Sequence, residues 1–455
     1  MLKLNDLTEP QNKLVSRLYE NDITFVYATM GAGKTVCTLT AISELIAACE
    51  IKKVLVVAPL KPAKEVWCKE SGKWEHLNHL RVNAALGTAA KRKKAIESDC
   101  DVVVINMENL AWFCDTYNNK HDFDAVVIDE ISKFKANGAK IVKKFRYQVG
   151  SFKWRVGLTG SPVHEGFTGL FSQILCLDGG ERFGKNKQSF LNKYFYPTDW
   201  EQRNWELKQG AEKSLLNRIG DIVYNVEDYT DELPPITEKS YLFNTGDLFM
   251  EIYNKFKRDN VYTCASGFII TADNAAVLSG KLEQFASGFL YGGYNEGDTE
   301  QISHARLHAL DDYLKLRENE NENVLIFYNF EEDKLRLIEH FGNKAVVLTS
   351  DNVETWNSGR IRYLLAHSKS AGHGLNLQGG GCRILYYTPI WSNDTFKQAN
   401  ARLWRRGQKY PVVVTNLIAK GTINELTVER VADKDAYDVL LREHCNENDT
   451  GSVLR

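Results

Sequence analysis

The chain has 455 residues, 43% hydrophobic and 25% charged, a globular composition that excludes a disordered or low-complexity polymer. Its formal net charge is −2, from 57 basic and 59 acidic side chains, so no global positive field points to a polyanion partner. At this length two domains are expected rather than one core.

Apolar runs such as Val54–Ala58 and Val324–Tyr328 are strand-sized. They fall well short of the roughly 18 residues of a membrane span, so no membrane is expected. The opening residues Met1–Asp6 carry no apolar signal core. Nine cysteines are scattered without a Cys-x-x-Cys pair. That argues against a disulfide framework or zinc site and for a reducing cytoplasm.

In the first third, Thr24–Ala28, Val54–Ala58, Val102–Asn106, Ala125–Ile128 and Arg155–Leu158 read as strands. They are almost continuously apolar, as strands covered on both faces are. Between them, Val36–Cys49 carries Leu39, Ile42, Leu45 and Ile46 at helical spacing. This alternation predicts a parallel, doubly wound sheet. From Phe167 to about Leu310 the chain is rich in aromatics and Lys and reads as mainly helical, with Trp200, Trp205, Tyr224 and Tyr229 as core. Within it, Ile219–Glu238 has six acidic residues, no basic ones and Pro234-Pro235, which suits a connector. Val324–Tyr328, Ala345–Thr349, Ile361–His367, Arg383–Tyr387 and Val412–Leu417 then restart the strand pattern. The fold expected is α/β. Two doubly wound parallel-sheet lobes, residues 1–166 and 311–455, flank a helical insertion and linker over 167–310.

The first strand runs into Thr29-Met30-Gly31-Ala32-Gly33-Lys34-Thr35 and then a helix. This is the P-loop pattern with Ala28 in place of its first Gly. Small residues at Gly31–Gly33 let the backbone N–H groups of Met30–Gly33 curl around a phosphate, and the helix N-terminus favours the anion. Lys34 would reach the β- and γ-phosphates of ATP, and Thr35 would ligate Mg²⁺. The strand Ala125–Ile128 ends in Asp129-Glu130. A carboxylate there holds Mg²⁺, and its neighbour polarises the attacking water.

Motifs further along are more specific. Val156-Gly157-Leu158-Thr159-Gly160-Ser161-Pro162 resembles the helicase superfamily 2 motif that links ATP hydrolysis to nucleic-acid movement. Gln398-Ala399-Asn400-Ala401-Arg402-Leu403-Trp404-Arg405-Arg406-Gly407-Gln408 resembles the superfamily's last motif, in the form typical of Swi/Snf-like, chromatin-remodeller-type DNA translocases. Val54–Leu60 with Trp67 and Lys73-Trp74 resembles motif Ia and its continuation, and Val103–Leu110 resembles motif Ib. Asn323–Phe330 resembles motif IV, Ser370–Leu377 motif V, and Ile390–Asn393 its Trp-Asn-Pro neighbour. The likeness covers most of residues 8–430. It departs at Ser132, where the family has His, and at His373, Ser392 and Asp394.

The resemblance implies two RecA-like lobes, with ATP and Mg²⁺ as cofactors. It implies an adenine contact at Gln11, nucleotide contacts at Gly374 and Asn376, and coupling through Ser132, Thr159, Gly160, Ser161 and Gln398. Nucleic-acid contacts fall at Lys61, Asn106, Asn329 and Ser368, each at a predicted strand end where ligands of such sheets gather, and at Trp391. Arg402 and Arg405 are spaced i, i+3, so a helix would put them on one face. Both are expected on ATP across a cleft, beside the catalytic Lys34, Asp129 and Glu130, with Arg405 the stronger arginine-finger candidate. From Ile131 to Pro162 there are eight basic residues and no acidic one, a local charge suited to phosphates. Lys91–Lys94 reads first as a solvated helix face.

The function expected is an ATP-dependent translocase on duplex or branched DNA that remodels DNA or protein–DNA structures. It would be a monomeric motor in a compact bacterial or phage form, targeted by DNA shape or a protein partner. Alternatives are a branch-migrating or strand-separating helicase, an ATP-switched binding protein without turnover, and the motor of a restriction complex.

Overall fold

A computed structural model of the chain describes residues 1–29, 31–134, 139–160, 167–202, 204–226, 233–295, 298–316, 322–368 and 375–431. The chain divides into two compact units between Tyr229 and Thr230, inside the acidic connector.

In the first unit the main strands are β1 (Ile23–Tyr27), β2 (Val54–Ala58), β3 (Val82–Ala85), β4 (Val102–Asn106), β5 (Ala125–Asp129) and β6 (Trp154–Thr159). A short hairpin follows, β7 (Phe195–Pro197) with β8 (Trp205–Leu207), and then β9 (Val223–Asn225). The sheet order is β3-β4-β2-β5-β6-β1-β9 with every pairing parallel. Alternation along each strand explains the apolar runs. Leu55, Val57, Val103 and Val126 enter one core, while their neighbours Val54, Val56, Val104 and Val127 enter the other. Both faces are covered, so every position must be apolar.

Helices α1 (Glu9–Glu20) and α2 (Lys34–Ala47) contribute to the second of these cores through Leu14, Leu18, Val36, Leu39 and Ile42. Thr8 starts α1 with a capping box in which its N–H donates to Gln11 Oε1 at 2.9 Å. Gly33 caps α2.

Residues 167–310 are shared between the units. Helices Leu170–Asp178, Lys187–Tyr194 and Ala211–Ile219 precede β9, which joins the first sheet at Phe25–Tyr27. The second unit opens with β10 (Ile236–Phe243) and carries two hairpins. These are β11 (Val261–Thr263) with β12 (Ile269–Thr271), and β13 (Phe289–Tyr291) with β14 (Thr299–Gln301). Helices Asp247–Asp259, Ala275–Ser287 and Ala305–Lys315 lie among them. The strands β15 (Val324–Tyr328), β16 (Ala345–Val347), β17 (Tyr363–His367), β18 (Arg383–Tyr386) and β19 (Val412–Ala419) complete it.

The second sheet runs β10-β19-β18-β15-β17-β16, again all parallel. Val324 and Ile326 face one core and Leu325 and Phe327 the other. A buried guanidinium ties helix Ala305–Lys315 to this sheet. Arg306, 2% exposed, donates to Ala286 O at 3.0 Å, to Leu417 O at 3.0 Å, and to Tyr387 O and Asn424 Oδ1. A buried charge persists only when its donors are met in this way.

Candidate active site

The loop between β1 and α2 turns on two glycines in the left-handed region, Gly31 at φ +84° and Gly33 at φ +86°. Lys34 Nζ donates to Ala28 O at 2.7 Å and Thr29 O at 3.2 Å, which holds the ammonium over the loop. Gln11 Nε2 donates to Ala32 O at 3.1 Å. This residue thus clips the start of α1 to the phosphate loop through the same amide that caps α1. Ala32 is buried and Thr35 half-buried. Met30 lies outside the described residues.

Beside this loop, β6 pairs Thr159 with Tyr27, and the Thr159 carbonyl accepts from Ala28 N at 3.1 Å. The Thr159–Gly160 strand end is thereby joined to the first residue of the loop, while Ser161 lies outside the described residues. On the other side of β6, Asp129 ends β5 opposite Leu158. Asp129 is half-buried, and desolvation of its carboxyl pushes it above the usual carboxylate range. The Trp67 indole N–H, 2.9 Å from Asp129 Oδ2, opposes that shift, as do the charges of Lys34 and Lys133. Lys34 and Asp129, far apart in sequence, therefore share one electrostatic site.

Glu130 takes φ +53°, a left-handed conformation that a non-glycine residue adopts at a cost of about 1–3 kcal/mol. Strain of that kind marks a residue whose direction matters. The turn Ile131–Phe134 follows, with Lys133 N donating to Glu130 O at 2.9 Å. Ser132 is 1% exposed, and its Oγ has no hydrogen-bond partner among the described residues. The Thr35 hydroxyl and Asp129 carboxylate are hard oxygen donors of the kind Mg²⁺ takes, and a half-buried carboxylate within reach of the Lys34 charge fits that ion beside a phosphate.

Two further strand ends lie along the same edge. Lys61 is exposed just beyond β2, and Asn106 ends β4 opposite Ala58. Asn106 is 7% exposed, and its amide is held locally by Glu108 Oε2 at 2.6 Å and by Asn109. Part of the basic stretch is also committed within the unit. Lys144 pairs with Asp115 and Lys153 with Glu50, and Arg155 donates to Leu177 O at 2.9 Å.

In the second unit, β15 and β17 end side by side at Asn329 and Ser368. Ser368 Oγ donates to Asn329 Oδ1 at 2.5 Å, and Asn329 Nδ2 donates to Pro389 O at 2.7 Å and Thr388 O at 3.4 Å. Behind them Thr388 Oγ1 donates at 2.6 Å to Asp333, a buried carboxylate pushed above its usual range by desolvation. Both residues follow directly on their strands, and both side chains are engaged by the protein itself. Asp333 and Thr388 carry no motif signal, since one acidic residue at a helix start reads as solvated. Trp391 is half-buried with the Arg430 guanidinium 5.4 Å from its ring centre.

The last motif departs from the expected helix. Helix Asn393–Asn400 holds Gln398, 6% exposed, whose amide donates to Asp394 Oδ2 at 2.9 Å. It stops at Asn400, whose carbonyl accepts from both Leu403 N and Trp404 N. Residues 401–407 are turns, so Arg402 and Arg405 share no helical face. The Gln408 amide, bonded to Gln378 O, Gly381 O and Leu403 O, draws the chain out of helical register. Arg402 is 6% exposed and donates to Leu375 O at 3.3 Å, whereas Arg405 is half-buried. Asn376 is exposed, its carbonyl taken by Asn357 Nδ2 at 2.8 Å. Gly374 lies outside the described residues.

The SNF2-related domain matches residues 20–284. The chain is similar to putative protein p41 of Acyrthosiphon pisum secondary endosymbiont phage 1, with 29% identity covering 95% of this chain and 97% of that one. It is also similar to the DNA repair and recombination protein RDH54 of Saccharomyces cerevisiae (strain RM11-1a), with 25% identity over 90% of this chain, and spans 50% of that protein's length. Among solved structures, the Sulfolobus solfataricus SWI2/SNF2 ATPase core in complex with dsDNA aligns at TM-score 0.44 and 20% identity, covering 97% of this chain and 94% of that one. With the family match extending over more than half of its length, the chain belongs to the SNF2-related family of nucleotide-binding ATPases.

Proposed function

We propose that the chain is an ATP-dependent DNA translocase that couples hydrolysis to movement on duplex or branched DNA and so remodels DNA or protein–DNA structures. The observation that carries this reading is one sheet edge. The phosphate loop, Asp129-Glu130 and Thr159 end adjacent parallel strands, and exposed Lys61 lies on the same edge beyond β2. A nucleotide site and a phosphodiester contact on one edge couple the two without long-range rearrangement.

In this scheme Lys34 holds the β- and γ-phosphates and Glu130 orients the attacking water. Thr35 and Asp129 hold Mg²⁺, which when bound neutralises charge on the phosphates. Arg405 is the cation that answers charge on the transferring phosphoryl group, supported by its place in the Gln398–Gln408 motif. Gln11 serves the nucleotide from the loop side, with Gly374 and Asn376 as further contacts. Asn106, Asn329, Ser368 and Trp391 serve DNA; Ser132, Thr159, Gly160, Ser161 and Gln398 couple the two. Asn329 is half-buried and Ser368 buried, with both side chains engaged, which supports their shaping a backbone surface rather than donating their own amide and hydroxyl.

A second reading, branch migration or strand separation in recombination and repair, draws support from the likeness to a yeast DNA repair and recombination protein. The likeness to a phage protein along nearly its whole length supports a compact motor in the cytoplasm of a bacterial or phage-infected cell. No helix among the described residues is long and apolar enough to cross a membrane. A monomeric motor with a protein partner for targeting fits this scheme.

The test is the ATPase rate with single-stranded DNA, duplex DNA, four-way junctions and RNA. Duplex DNA should stimulate most. A marked preference for junctions would favour the second reading, and equal stimulation by RNA would overturn both.

A further inference from the structure

Trp67 is fully buried and gives its indole N–H to Asp129 Oδ2 at 2.9 Å. It ends the segment Pro62–Trp67, which winds as a π-helix a few residues beyond β2, next to β5 in the sheet at Val57↔Ile128. A π turn takes in more residues per turn than an α-helix and so re-aims the side chain that follows, a device found mostly at functional sites. A buried indole needs an acceptor for its one N–H. Backbone carbonyls satisfy Trp154 and Trp356, which donate to Leu18 O and Leu377 O. At Trp67 the acceptor is instead the half-buried carboxylate that ends the β5 strand.

The final torsion of an aspartate is soft, with no sharp rotamer wells. Partial burial by itself therefore does not fix the direction of the Asp129 oxygens. An N–H fixed on a neighbouring element removes that freedom and commits one oxygen to the protein. Outer contacts of this kind orient metal-holding carboxylates, and their loss weakens metal affinity or activity about 10–100-fold.

We infer that Trp67 is a positioning residue for the divalent cation: its indole N–H, bonded to Oδ2, fixes the direction of the Asp129 carboxylate that would hold the ion. This rests on the assignment of Thr35 and Asp129 to Mg²⁺. It gives a chemical reason for tryptophan at the end of the motif Ia-like segment, since phenylalanine would fill the core but take the indole donor from Oδ2.

The test is equilibrium binding of a fluorescent ATP analogue, in EDTA and across a Mg²⁺ titration, with folding checked by circular dichroism. Trp67→Phe should bind like wild type in EDTA, while its Mg²⁺ half-saturation rises about 10–100-fold. In an Asp129→Asn background, Trp67→Phe should add nothing, because the indole acts through that carboxylate. Trp67→His keeps a ring N–H and should fall between wild type and Trp67→Phe. If Trp67→Phe does not fold, the rise in half-saturation from wild type to Trp67→His carries the test. An unchanged half-saturation in a folded variant overturns the inference, as does an equal loss with and without Mg²⁺, which would mark Trp67 as packing alone. A wild-type chain whose nucleotide binding ignores Mg²⁺ overturns the metal assignment itself, a failure visible before any variant is made.

Discussion

Gln11 and Gly33 claim the same space: a β-carbon built on Gly33 would lie 2.3 Å from the Gln11 amide nitrogen. Gly33 also holds φ +86°, so any side chain there is strained as well as crowded. Gly33→Ala should lower unfolding stability by about 1–3 kcal/mol and abolish nucleotide binding, because either the loop or Gln11 must move. Gln11→Ala keeps the loop conformation and loses the bonds to Ala32 O and Thr8 N. It should cost about 1 kcal/mol and raise the KM for ATP. Urea unfolding and nucleotide titration read both.

Lys34 and Glu130 separate binding from chemistry. Lys34→Ala removes the ammonium that sits over the loop carbonyls, and both nucleotide affinity and turnover should be lost. Glu130→Gln keeps size and backbone and should bind ATP normally while kcat falls about 10²–10⁴-fold, the usual range for a lost general base. Equal affinities for the two variants would show that one of the roles is misassigned.

Arg402 and Arg405 should fail differently. Arg402 is buried and bonded to Leu375 O, so Arg402→Ala leaves an acceptor unmet and should destabilise the second unit by about 1.5–3 kcal/mol. Arg405→Ala should leave the unfolding curve near wild type and lower kcat about 10³-fold or more with little change in nucleotide affinity, as a transition-state cation does. Denaturation curves beside kcat and KM distinguish them. A loss of affinity alone in Arg405→Ala would remove its catalytic role.

Asp333 predicts a pH dependence. Desolvation raises its carboxyl in the folded chain, against hydrogen bonding from Thr388 and the charge of Arg306. The folded state therefore keeps this proton to higher pH than the unfolded chain does. The stability it contributes is fully present below the ordinary Asp range, about pH 4, and is lost as pH rises through the raised value. Relative to Asp333→Asn, wild type should lose stability as pH rises from the ordinary Asp range through the raised value. Unfolding free energies of both chains across that range check the sign, and a relative gain by wild type would contradict it.

Strands covered on both faces were legible because burial there leaves no polar position: Val54–Ala58 and Val324–Tyr328 are strands over the bounds their apolar runs suggest. β10 was not legible. It is an edge strand with most side chains in solvent, so Ile236–Phe243 shows no apolar run. Three-residue β9 sits in the acidic connector and pairs with β1 over only three residues, too short for an apolar run. Motif spacing led to Lys34, Asp129 and Glu130 but not to the Trp67–Asp129 bond. That contact spans 62 positions and depends on a π turn, which has no periodic signature. The i, i+3 spacing of Arg402 and Arg405 suggested a helix that tertiary bonds from Gln408 override, and the unbalanced basic stretch drew its partners Asp115 and Glu50 from elsewhere in the unit.

Displacement of a third strand annealed to duplex DNA reads movement itself. With ATP and Mg²⁺ the wild-type chain should strip the third strand at a rate that follows its DNA-stimulated hydrolysis, and Glu130→Gln should bind the same DNA and strip nothing. A wild-type chain that hydrolyses ATP on duplex DNA yet leaves the third strand in place would contradict translocation.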